Sequence, residues 1–310
     1  MNAPGVRPIT LPIPYPVGHV HLYLLEGDGL ALVDTGVSRR ALVGALEALG
    51  RSIEEIEAVI VTHHHPDHYA LAGFLEAAGA EVWMRAEEIR RGHRFWLEAE
   101  RWVAEGAAAF RAHGAPEGLI EAMARATLAT RARVHPPRRP RPLPEDAPFE
   151  VVGMRFRVIP TPGHAEGQAA LLREDGVLLV ADAALAGISP MIARWAYSNP
   201  DPLGDYFATL DRLSRLRPAA VLPGHRQGFD LAARAAELRA HHQARLEAVL
   251  DALAAGPRTA WEVSRALFPN ARAEERRFAL AETLAHLEHL AARGLVRRLA
   301  GPPIRYLRST

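Results

Sequence analysis

Within seven positions, 62–68, the chain reads THHHPDH, four histidines and an aspartate directly after the apolar run AVIV at 58–61. Imidazole and carboxylate bind metal ions. None of the 310 residues is a cysteine, so neither a thiolate ligand nor a disulfide is available. Three further apolar runs end in the same way: His164 follows IPTPG at 159–163, Asp182 follows VLLVA at 177–181, and His225 follows VLPG at 221–224. In an open α/β sheet the chain must leave the core at strand ends, where side chains can turn into a common crevice. The alternation His63-x-His65 aims two imidazoles the same way in an extended segment, and a kink at Pro66 turns Asp67 and His68 toward a neighbouring point. Two adjacent ligand sets suggest two metals. His64 faces the other way and is the surplus histidine.

The elements that must carry these residues alternate in the first 85 positions. Short β-rich runs at 19–25 and 30–33 flank the turn EGDG and read as a hairpin. Ser38 is a candidate N-cap for a helix through Leu49, ending at Gly50. A strand at 58–61, a helix at 71–78 closed by Gly79 and a strand at 81–84 complete the pattern of a layered α/β domain. From 86 to about 134 the periodicity turns helical, with Ile89, Trp96, Trp102, Val103 and Phe110 as candidate buried positions. The proline-rich stretch 135–148 cannot be helix and reads as an extended linker, so a helical hairpin is inserted at about 86–148. Strand signals return at 156–159, 168–172, 177–181 and 219–222, with helices expected at 205–216 and 231–254.

Gly256-Pro257 marks the expected boundary between a domain at 1–255 and a small one at 256–310. In the second, helices at 259–268 and 274–292 precede a hairpin, 295–299 and 304–307, an order that resembles a winged-helix module. Arg293, Arg297, Arg298, Arg305 and Arg308 crowd its end, with no acidic residue after Glu288. Arginine forks pair with phosphates, so single-stranded RNA is a candidate partner there. A domain that buttresses the site rim or a homodimer interface is the plainer reading.

Composition sets limits. The net charge is +1, all 37 cations being arginine, which argues against a strong field for nucleic acid or membrane over the whole molecule. The first residues contain prolines and lack a continuous apolar core, and no window reaches the ~18 apolar residues of a membrane span. A cytoplasmic location with no membrane partner is the expectation.

The arrangement resembles the metallo-β-lactamase superfamily, whose signature H-x-H-x-D-H stands here as His63, His65, Asp67 and His68. Gly163-His164, the strand-closing Asp182, Gly224-His225 and an early aspartate in LVDTG, Asp34, match its later and earlier motifs in order, over roughly residues 8–240. The resemblance implies an αββα sandwich, an α/β fold, with a dinuclear site at the sheet edges. It implies that His63, His65 and His164 hold one metal, that Asp67, His68 and His225 hold the other, and that Asp182 bridges them. Asp67 would also orient the attacking hydroxide, its catalytic role, while Asp34 would support a ligand or the loop. Imidazole and carboxylate donors suit two zinc ions, with manganese or iron as alternatives.

Three functions follow. The first is a dinuclear metal-dependent hydrolase of a small thioester or ester, as in the glyoxalase II-like branch, although the inserted helices and the winged end depart from that branch. The second, pointing to the lactamase-beta-2-like branch, is a metal-dependent endoribonuclease or phosphodiesterase guided by the wing. The third is a nucleic-acid-binding regulator whose sandwich is structural. Histidines outside the cluster, His93, His113, His241 and His286, read as solvated or partly packed helix residues, and His19 and His21 as strand packing. Arg138, Arg139 and Arg141 in the linker read as a solvated charge run.

Overall fold

The structure, a computed structural model, describes residues 3–145 and 147–309. Met1, Asn2 and Thr310, at the ends of the two expected domains, and Asp146 in the expected linker lie outside the described residues. One six-stranded sheet runs in chain order through β1 (Val6–Pro12), β2 (His19–Glu26), β3 (Leu30–Val33), β4 (Ile56–Ile60), β5 (Glu81–Met84) and β6 (Arg141–Pro142). It is antiparallel from β1 to β3 and parallel from β3 to β6. A five-stranded sheet is formed by β7 (Phe149–Val151), β8 (Met154–Pro160), β9 (Ala169–Arg173), β10 (Val177–Ala181) and β11 (Ala220–Pro223), antiparallel except for the parallel β10–β11 pair.

Period-two alternation explains how the sheets stack. In β2, Tyr23 and Leu25 join a core with Ile60, Val158, Leu171 and Leu179 between the sheets, while Val20, Leu22 and Leu24 face the opposite way. On that outer face they meet α1 (Arg39–Glu47), the single turn α2 (Pro66–Tyr69) and α3 (Ala72–Ala77). In β10, Val177 and Leu179 face inward, whereas Leu178 and Val180 pack outward. Strands covered on both faces are apolar throughout, which is why β10 shows no polar alternation. The molecule is therefore a sandwich of two sheets between helical layers.

Among the strands that escaped the sequence reading, two frame the sheets. The proline-containing segment VRPITLP is β1, and its prolines are tolerated because it is an edge strand paired only with β2. Phe149–Val151 forms β7 opposite β8, across a turn in which Val152 and Gly153 both have positive φ.

The insertion opens with α4 (Ala86–Glu88), a π-helical turn (Ile89–His93) and α5 (Arg94–Leu97), then continues as the paired helices α6 (Ala99–Ala112) and α7 (Glu117–Arg131). Trp96 and Phe110 are buried as expected, but Ile89, Trp102 and Val103 are only half-buried.

On the other side lie α8 (Pro202–Ser214), capped by Asp201, and α9 (Leu231–Ala252), capped by Asp230. The remainder contains α10 (Ala260–Leu267) with a Thr259–Glu262 capping box, α11 (Arg276–Ala292), and a small sheet of β12 (Arg258–Thr259), β13 (Val296–Leu299) and β14 (Arg305–Arg308) in the order β12-β14-β13. Helix α11 is apolar nearly all round and accordingly buried, with Leu280, Leu284 and Leu287 in the same core as Leu178, Leu210 and Leu246. Its His286, read from sequence as solvated or partly packed, is fully buried beside His242.

Burial first, then the neighbouring imidazole, lowers the pKa of His242 to about 2; burial also lowers that of His286, to about 4. Below about pH 6.5 the unfolded chain takes up protons that these two rings refuse in the folded state, so stability is lost as pH falls. We expect His242→Leu to show a shallower fall in unfolding free energy than wild type between pH 7 and pH 5, measured by denaturant titration; equal slopes would show that His242 is not part of the acid response. No helix among the described residues is long and apolar enough to cross a membrane.

Candidate metal centre

Both sheets contribute to one edge. From the first come Asp34, just past β3, and Thr62 to His68, which leave β4 and enter α2; from the second come His164 in the β8–β9 connection, Asp182 after β10 and His225 after β11. The backbone at these exits is unusual. Asp34, Ala181 and Arg226 are non-glycine residues in the left-handed region, at φ 64°, 48° and 65°, and the β10–β11 register slips between Leu179 and Ala181. Such strain and bulging re-aim side chains and cluster at functional sites.

All seven residues singled out by spacing meet there. His63, His65 and His164 form one group of donors, Asp67, His68 and His225 another, and His63, His68 and Asp182 a third that overlaps both. His65 Nδ1 lies 3.1 Å from His63 Nε2 and 2.8 Å from His164 Nε2. Asp182 Oδ2 is 3.6 Å from His164 Nε2, 3.6 Å from His68 Nε2 and 3.3 Å from His225 Nε2; Asp67 Oδ2 is 3.3 Å from His225 Nε2. His65 and His164 are half-buried and the other five buried, so the centre is open toward His65 and His164.

The far nitrogens of four rings are anchored. His164 Nδ1 donates to the Met191 carbonyl at 2.9 Å and His225 Nδ1 to the His19 carbonyl at 2.5 Å. His68 Nδ1 donates to Asp34 Oδ2 at 2.7 Å. Thr62 Oγ1 gives its only proton to the Asp34 carboxylate and so accepts from His63 Nδ1 at 3.1 Å. Each anchor fixes the tautomer in which, once the ring is neutral, the nitrogen that faces the centre carries the lone pair.

Some of these contacts were not legible in the sequence. His19 and His21 do more than pack their strand. His21 Nε2 bonds the Arg226 carbonyl at 2.8 Å, and the Arg226 N–H donates to His19 Nε2 at 3.2 Å, so the pair clasps the loop that carries His225. The surplus His64 is buried and turned away, its N–H and Nδ1 both held by Glu88 Oε1 at 2.6 and 2.5 Å. Glu88, within the inserted segment, carried no sequence signal beyond its charge. Its counterpart is an alternation, since the flanking His63 and His65 turn the other way.

Electrostatics divides the rings. Burial, reinforced by the neighbouring imidazoles, holds His63 and His65 well below the ordinary histidine pKa, and burial lowers His164. Burial also opposes charge on His68 and His225, but there the carboxylates win: Asp182, Asp34 and Asp67 hold His68 well above its ordinary value, and Asp182 with Asp67 raises His225 to about 10. Asp182 is held well below the carboxylate range; burial alone would raise it, and His68 and His225 outweigh that.

The donor chemistry fits cations. Buried His68 Nε2 and Asp182 Oδ1 have no hydrogen-bond partner among the described residues, and three facing imidazole nitrogens cannot all be satisfied by protons among themselves. Gly224 keeps the cluster tight, because a Cβ there would lie 2.4 Å from Asp182 Oδ1 and 2.7 Å from His68 Cε1.

Comparison with known proteins agrees with this geometry. Residues 15–225 match the metallo-beta-lactamase superfamily, and residues 246–309 match a domain described as metallo-beta-lactamase-like, C-terminal. A metallo-beta-lactamase family protein of known structure from Thermus thermophilus is 48% identical, with 99% of each chain covered and a TM-score of 0.90. A beta-lactamase domain protein from Burkholderia ambifaria is 31% identical, covering 99% of this chain and 93% of its own, with a TM-score of 0.85. The "Probable metallo-hydrolase YqjP" of Bacillus subtilis (strain 168) is 32% identical over 94% of both chains.

Proposed function

The chain belongs to the metallo-beta-lactamase superfamily and is a metal-dependent hydrolase, and from that premise we propose that it uses two divalent ions to cleave a small thioester or ester. The observation that carries the dinuclear reading is the position of Asp182, whose Oδ2 lies within 3.6 Å of a histidine from each donor set. His63, His65 and His164 would hold the first ion, Asp67, His68 and His225 the second, and Asp182 stands where it would be shared between them. Donors without thiolate favour zinc, with manganese or iron next.

Two such ions, when bound, acidify water toward pKa ~7 and take up charge that develops on the substrate. The protein supplies the rest. Asp67 would orient the attacking water by accepting a hydrogen bond from it. The carbonyls of Met191 and His19 and the Asp34 carboxylate fix the tautomers of His164, His225 and His68, so that each ring presents a lone pair. Buried donors behind a half-buried His65 and His164 suit a small acyl group entering from that side.

The ribonuclease or phosphodiesterase reading draws on the exposed arginines of the chain's end. Pairing of Arg298 with Tyr306 and of Arg297 with Leu307 divides these arginines between the two faces of the hairpin, so no single basic stripe favours a strand of RNA. A regulator with a structural sandwich would have no use for seven converging donors. We therefore place the small acyl substrate first. Initial rates on a thioester panel and on single-stranded RNA, with metal-replete and chelated protein side by side, test this: metal-dependent thioester cleavage supports it, and metal-dependent RNA cleavage alone would replace it with the second reading.

Asp34→Asn probes the support. Asparagine tolerates φ 64° and keeps the shape, but it cannot accept from His68 and Thr62 as a carboxylate does. Zinc affinity at the His68 position is expected to weaken ~10- to 100-fold in a chelator competition, with the fold retained. An unchanged affinity would remove Asp34 from this role.

A further inference from the structure

The connection from Asp182 to Asp201 covers 20 positions with neither helix nor strand. A loop of that length inside a compact domain requires an account of what holds it. One fastening is to α9: Arg234 Nε donates to the Leu185 carbonyl at 2.7 Å and Arg234 Nη2 to the Ile188 carbonyl at 2.8 Å. Another is to α11, where the Arg194 N–H donates to the Ala281 carbonyl at 2.9 Å and the Trp195 ring meets the edge of Phe278. Between these lies Met191, whose carbonyl orients His164.

A buried line of histidines joins that same stretch to α11. His286 Nδ1 lies 2.8 Å from the Glu282 carbonyl, which can only accept, so the proton is on Nδ1 and Nε2 is an acceptor. His242 Nδ1, 3.2 Å away, must then donate to it, which leaves His242 Nε2 as an acceptor 3.4 Å from Ser189 Oγ, whose one proton it shares with the Pro190 carbonyl at 3.1 Å. The polarity of both rings follows from the terminal carbonyl. Ser189 stands two residues before Met191 in the chain.

We propose that His242 and His286 are positioning residues for the metal centre: through Ser189 and the Met191 carbonyl they make helix α11, near the end of the chain, part of the frame that aims His164. The inference rests on the metal reading above and deepens it. It assigns the C-terminal segment a structural part in the site that needs no nucleic-acid partner. Trp195 and Arg194 strengthen the frame from the other side of Met191, so the carbonyl is gripped on both flanks.

The test uses the full chain with cobalt(II) in place of the native metal, because its visible absorption reports ligand geometry without any substrate. His242→Leu keeps comparable volume and removes both bonds, His242→Gln keeps a donor and an acceptor, and Ser189→Ala cuts the line at a half-buried position where folding is least at risk. His242→Leu and Ser189→Ala are expected to alter the cobalt spectrum and weaken binding at the His164 position ~10- to 100-fold, with His242→Gln recovering part of the loss. A role confined to packing would lower thermal stability and leave the spectrum and affinity of the folded variants at wild-type values, which would overturn the inference. Wild-type protein that takes up no cobalt would overturn the metal reading itself, and the two failures are told apart by that control.

Discussion

Replacing Asp182 with asparagine is expected to empty the centre of both ions and to reduce hydrolysis by roughly a thousandfold. The change is nearly isosteric, so the bulge at Leu179–Ala181 and the close approach of Gly224 are retained. What is lost is, among the described residues, the one negative charge within 3.6 Å of His68, His164 and His225 together. A metal pair supplies several kcal/mol of transition-state stabilisation, and ~4 kcal/mol corresponds to about three powers of ten in rate. Elemental analysis of the dialysed variant reads the ion content directly. Two ions retained at wild-type affinity would show that Asp182 does not bridge.

His65→Ala tests the other half of the assignment by removing one ion rather than two. His65 presents Nδ1, not Nε2, to His63 and His164, and it stands half-buried at the open side of the centre. Truncation there leaves the second group, Asp67, His68 and His225, intact. The expected protein is folded, keeps its ion at the second position, loses the first and hydrolyses at least ~100-fold more slowly. Full activity with two bound ions would refute the site. The pair of variants is informative together: a two-ion loss in Asp182→Asn with a one-ion loss in His65→Ala is the pattern that only a bridging carboxylate between separate donor sets produces.

Much of the centre is readable in the sequence because its chemistry is written in side chains and local spacing. His63, His65, Asp67 and His68 lie within six positions, and the turn at Pro66 is itself a sequence feature. Asp34, His164, Asp182 and His225 are far apart in the chain, yet each follows an apolar run, and an α/β sheet brings such exits to one edge. The layered α/β architecture was legible for the same reason, since strands buried on both faces are short apolar runs bounded by turn residues, while the two-sheet sandwich came with the family resemblance.

Contacts whose signal is not in the local sequence were decided by the tertiary structure. A proline-bearing segment becomes β1 only because an edge position asks for fewer backbone donors. Glu88 clamps His64 from 24 positions away, and nothing near Glu88 marks it among 36 acidic residues. The Met191 and His19 carbonyls that orient His164 and His225 belong to the backbone, which every residue carries, so no residue type announces them. His242 and His286 looked like ordinary helix histidines, and only the packing of α9 against α11 turns them toward the ligand loop. Spacing along the chain therefore chose the donors, while the aim of each donor was left to long-range contacts, because orientation depends on what the rest of the fold places behind it.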